Sequence, residues 1–161
     1  MKIFTSVLGA TLLTTAFSAS AFAAQPDVYV VNFRKDNDVK SEQLDRALPS
    51  AVAMAGVNAE QVNIDTSNAA KWEKGAHDAF DRGFVPVFNQ WVGLPGFAAV
   101  IDASSKQVIG CVNSTFRADE IAKELKKMAA QAKGKAFISN ASVNSKTTQC
   151  PAPHNVDPLA N

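Results

Sequence analysis

Cysteine is scarce: among 161 residues only Cys111 and Cys150 carry a thiol. Nowhere do they stand as Cys-x-x-Cys, so the paired, activated thiols of ordinary dithiol exchange are excluded. Histidine is equally thin, with His77 and His154 alone. A zinc centre wants three or four converging ligands, and no spacing here predicts a metal. No serine occupies a Gly-x-Ser-x-Gly elbow, and no glycine-rich phosphate loop follows a strand pattern. No catalytic residue and no cofactor are therefore expected. Charge of one sign is lacking too, at a formal net charge of +1. That gives no electrostatic reason to expect nucleic acid or an anionic membrane surface as a partner.

What is present begins with an export signal pattern. Lys2 precedes an apolar stretch from Ile3 to Phe17, and Ala21 and Ala23 stand as the small residues of an A-x-A cleavage site. The stretch is short and interrupted by Thr and Ser, whereas a spanning helix needs ~20 mostly apolar residues. The pattern predicts a signal peptide over 1–23, a periplasmic or secreted product, and no stable membrane insertion after cleavage. Loss of Lys2 takes the 16 basic residues to 15, matching the 15 acidic ones.

After the signal, Val28-Tyr29-Val30-Val31-Asn32-Phe33 reads as a buried central strand. Leu44, Leu48, Val52 and Ala55 then recur at helical spacing, with Gly56 as a stop and Pro49 expected to kink or split the helix. Val62 and Ile64 alternate in a second strand. From Ala69 to Val92 the residues Trp72, Ala76, Ala79, Phe80, Phe84, Phe88 and Trp91 fall near one stripe. Gly83 and Pro86 interrupt it, predicting two successive helices or one sharply bent one. Core packing is the first reading of the stripe, and a ligand groove at Phe84, Phe88 and Trp91 the second. Ala98–Asp102 and Val108–Val112, joined by a polar turn, form a hairpin. A helix from Arg117 to Ala132 puts Ile121, Leu125 and Met128 inward. Residues 24–133 make one α/β domain, and 134–161 a polar tail.

The succession of elements, and above all Gly93-Leu94-Pro95-Gly96-Phe97-Ala98-Ala99-Val100-Ile101-Asp102 followed by hairpin and closing helix, resembles the second half of thioredoxin-superfamily proteins. The resemblance implies a thioredoxin-like central sheet flanked by helices, with a terminal β-hairpin and closing helix. In that family a cis-proline precedes the third strand; Pro95 is the candidate here, with Ala98 as the other position that could match. The loop after the first strand, where the family keeps its cysteine pair, reads Arg34-Lys35-Asp36-Asn37-Asp38. A partner-binding groove is implied at Arg34, Lys35, Trp91, Pro95 and Phe97. More narrowly, the chain is similar to exported thioredoxin-like proteins of conjugative plasmids and integrating elements. That implies a non-catalytic binding or assembly protein of the bacterial envelope, partnered by another envelope protein and serving a transfer or secretion system.

For Cys111 and Cys150 the exported setting favours one structural disulfide holding the tail to the sheet. Closing a loop of roughly 40 residues would stabilise the fold by about 4 kcal/mol. Two free thiols, or a periplasmic thiol–disulfide redox protein using one or both cysteines, are the alternatives.

Overall fold

The computed structural model describes residues 25–134 and 150–154. The expected signal peptide and most of the expected tail lie outside the described residues. Four strands and four helices follow in the order β1 (Val28–Arg34), α1 (Val39–Ala55), β2 (Ala59–Asp65), α2 (Ala69–Asp81), α3 (Val85–Trp91), β3 (Phe97–Asp102), β4 (Val108–Asn113) and α4 (Ala118–Ala132). They build a mixed α/β domain on one sheet of order β2-β1-β3-β4. β2 runs parallel to β1, while β3 and β4 are antiparallel to their inner neighbours.

β1 is central because nearly every residue in it tolerates burial on both faces. Alternation then sorts its side chains. Val28 and Val30 join Ala98, Val100 and Val112 under Leu44 and Leu48 of α1 and Ile121 and Leu125 of α4. Tyr29, Val31 and Phe33 join Val62, Ile64, Ala99 and Ile101 under Phe84, Val87, Phe88 and Trp91. One face is thus aliphatic and the other aromatic.

Helix ends follow local chemistry. Asp38 caps α1 by accepting from the Ser41 amide at 2.7 Å, and Asn68 caps α2 by accepting from the Lys71 amide at 3.0 Å. At α4 the Arg117 amide donates to the Glu120 carboxylate at 2.8 Å. Gly56, at φ 59°, ends α1 in the left-handed conformation that glycine adopts freely. α2 and α3 are separate helices, with Gly83 between them and Pro86 in the first turn of the second, as the two interruptions predict.

Two expectations are corrected. Pro49 neither splits nor ends α1, which continues from Val39 to Ala55. Leu44 and Leu48 before it, and Ala51 and Ala55 after it, are all buried against the sheet. That shared burial keeps the helix continuous across a proline penalty of roughly 3 kcal/mol. The aromatic stripe is corrected in part: Ala79, Phe84, Phe88 and Trp91 are buried in the core, but Trp72 is 46% and Phe80 73% exposed. α2 turns its small residues inward instead. Gly75 and Ala79 are its buried positions, and a Cβ on Gly75 would already touch Ile64 at 3.4 Å. Close helix–sheet approach pushes the bulky neighbours to the flanks.

Candidate functional site

At its C-terminal end β1 delivers Arg34 into a cluster of charges drawn from four elements. The Arg34 guanidinium meets Asp45 of α1 at 2.9 Å and Asp36 at 3.2 Å, and also pairs with Asp65 at the end of β2. Lys71 of α2 closes the circle, 2.6 Å from Asp36 and 3.1 Å from Asp65. Hydrogen bonds fix the carboxylates. Asp65 accepts from the amide of Ser67 at 2.9 Å and from its hydroxyl, and the Asp36 amide donates to the Ser67 hydroxyl at 2.7 Å. Asp45 accepts from the buried Asn32 amide at 2.7 Å, and Asn32 also donates to Asn63 at 3.2 Å.

The electrostatics follow from this packing. Burial opposes the Arg34 charge, but the hydrogen bond and charge of Asp45, with Asp65 and Asp36, outweigh it and raise its pKa. Burial likewise opposes ionised Asp65; Ser67, Lys71 and Arg34 outweigh it and hold the carboxyl below its ordinary value. The Lys71 hydrogen bond does the same for exposed Asp36, and Asp36 and Asp65 together raise Lys71. Beside the cluster lies an open cleft of about 450 Å³, walled by Arg34, Asp45, Pro49, Gln61, Asn63, Asp65, Lys71 and Lys74. It can offer both charges and amide groups to a polar ligand.

The loop before β3 abuts this rim. The Gly96 amide donates to the Phe33 carbonyl at 2.9 Å. Gly96 has φ +91°, and a Cβ there would lie 2.6 Å from Cβ of Lys40, so only glycine lets the loop press on the start of α1. No peptide bond among the described residues is cis. The expectation of a cis Pro95 is therefore corrected: the proline is trans, and Gly96 makes the tight approach.

The five residues expected to line a groove divide into two groups. Arg34, Lys35 and Pro95 lie at the surface or partly so, around the same end of the sheet. Trp91 and Phe97 are only 4% and 2% exposed. Phe97 stacks on Phe33 with centroids 5.0 Å apart, and Trp91 meets Phe97 edge-on at 5.7 Å. These two rings form the floor of the aromatic core and present no open wall. Phe84 and Phe88, the other residues of the second stripe reading, are buried with them.

Cys111 and Cys150 are joined in a disulfide, with Cα atoms 4.9 Å apart. Cys150 packs at the margin of the aromatic core, and the following residues run along α3. The Trp91 indole N–H donates to the Pro151 carbonyl, and the His154 amide donates to the Gln90 carbonyl, each at 2.9 Å. Sequence reading found the bridge from the number of cysteines and the exported setting. It missed Asp45, Asp65, Ser67 and Lys71, which lie on separate elements and meet only in the fold.

No protein-family model, curated protein or solved structure matches this chain. Among the described residues, no group of three or more His, Cys, Asp or Glu is placed to hold a metal ion. No described helix is long and apolar enough to cross a membrane.

Proposed function

We propose that the chain is a thioredoxin-like binding or assembly protein of the bacterial envelope, acting without thiol catalysis as an accessory of a conjugative transfer or secretion system. The strand order β2-β1-β3-β4, with a parallel first pair followed by an antiparallel hairpin and closing helix, supports the thioredoxin-like assignment.

One observation carries the non-catalytic reading. Where the family holds its cysteine pair, this chain has Arg34 and Asp36 in ion pairs and Asp38 capping α1. Both cysteines are spent elsewhere, on each other, with Cys111 buried in β4. A strand thiol there lacks the helix-terminus field that activates a thiolate. The remaining asset of the rim is its shape and charge, including the exposed Lys35 beside the network.

Replacing Lys35 by a photo-crosslinking residue in the exported protein tests this reading. Irradiation is expected to yield an adduct with one envelope protein, unchanged when all free thiols are alkylated beforehand. Absence of any adduct at Lys35, together with one formed through cysteine, would reverse the assignment.

A further inference from the structure

At Trp91, one of the five residues first expected to line a partner groove, the chain covers its own surface. Residues Cys150–His154 lie on α3 as a peptide lies on a receptor. The Trp91 indole N–H takes the carbonyl of Pro151, and the Gln90 carbonyl takes the amide of His154 three residues on. Pro151 and Pro153 carry no N–H, so the segment leaves few backbone donors to satisfy. Among the described residues, two hydrogen bonds, contact of Cys150 with the aromatic core and the bridge to Cys111 hold the segment. Hydrogen bonds exchanged with water are worth little net, while ordering the segment costs entropy at every residue. The covalent bond decides the balance.

The two sulfurs are unequal. Cys111 is 2% exposed, whereas Cys150 is only partly buried and is the accessible point of attack. We propose that Cys150–His154 is a redox-released strap, and that reduction by a dithiol uncovers a surface on Trp91, Gln90 and Cys111 that accepts an extended, proline-flanked peptide. One thiolate of the reductant attacks Sγ of Cys150, and Cys111 leaves as a thiolate that takes a proton from water. The reductant's second thiol then displaces Cys150, so the reductant ends as a disulfide and the protein as two thiols. The strap departs because its tether is gone, and the indole N–H and Gln90 carbonyl fall free. Release needs only the bridge and the strap, and holds whether or not the chain serves in the envelope.

Hydrogen exchange at the Trp91 indole N–H, followed by NMR before and after dithiothreitol, tests the release; the other tryptophan, Trp72, supplies a second indole signal for comparison. Reduction is expected to speed Trp91 exchange at least ~10-fold. Amides of β1 should stay protected, and Cys111 should become open to alkylation by N-ethylmaleimide. The probe for the second half is a synthetic peptide covering Gln149–Asn155 with Cys150→Ser. At ~1–10 mM, the effective concentration a short tether provides, it should restore protection of Trp91 in reduced protein and change nothing in the oxidised form. Unchanged Trp91 exchange after reduction overturns the strap. So does collapse of β1 protection to that of an unfolded chain, which would make the bridge a condition of folding rather than a tether for the strap. Failure of the peptide to protect Trp91 removes the peptide-accepting surface.

Discussion

The charged rim around Arg34 and the strap around Cys111 solve the same problem, tying distant segments together, by opposite means. The rim joins α1, β1, β2 and α2 through ion pairs at a half-open surface. Its members keep partial contact with water, so the arrangement responds to pH, salt and an incoming charge. The strap joins the C-terminal segment to β4 and α3 through a covalent bond beside buried aromatic rings. Acid and salt leave it unmoved, and a reductant undoes it. One sheet therefore offers an electrostatically adjustable end and a redox-conditional flank.

Breaking the aromatic side should cost most. Phe33→Ala removes a ring stacked on Phe97 and edge-on to Trp91, and is expected to destabilise by about 3–5 kcal/mol. Chemical denaturation would show this as a lower midpoint at unchanged slope. Next comes Cys150→Ser, expected to cost about 2–4 kcal/mol while leaving the far-ultraviolet circular dichroism of the domain intact. Arg34→Met should follow at about 1–3 kcal/mol, since it strips Asp45 and Asp65 of a shared guanidinium yet leaves them Asn32 and Ser67 as donors. At the bottom, Glu42→Gln breaks an exposed pair with Arg46 and should shift stability by no more than ~0.5 kcal/mol.

Titration sharpens the contrast. Lys71 lowers Asp36; Asp65, despite burial, is lowered by Ser67, Lys71 and Arg34. A carboxyl with a depressed pKa stabilises the fold above its unfolded value of about 4 and loses that contribution as pH falls through the lowered one. Lys71, raised by Asp36 and Asp65, contributes fully below its ordinary 10.5 and loses the contribution as pH climbs through the raised value. The stability gap between wild type and Asp65→Asn should thus be widest near neutrality and shrink toward acid. The gap between wild type and Cys150→Ser should stay nearly flat over the same acid range. Thermal melts across pH would separate the two curves.

Much of the framework was legible because each signal was local. The apolar run of β1, the hairpin around Asp102, and the break at Gly83 and Pro86 all act within a few residues. Expectations failed where tertiary packing overrode a local rule. Pro49 sits in an unbroken helix because buried leucines and alanines flank it, and α2 chose Gly75 and Ala79 over Trp72 and Phe80 as its sheet-facing side. The charged rim could not be read in advance: Arg34 finds Asp45 and Asp65 only after the strands pair. Asn32, a polar residue inside an apolar strand, was the one hint that a polar network begins there, and it is buried on Asp45 and Asn63.

Insulin reduction in the presence of dithiothreitol puts the central claim to the most direct trial. If charge and shape have replaced thiol chemistry, the purified protein leaves the rate at that of dithiothreitol alone, and Cys111→Ser changes nothing. A faster rate that vanishes in Cys111→Ser would make the protein a working thiol–disulfide catalyst and contradict the account.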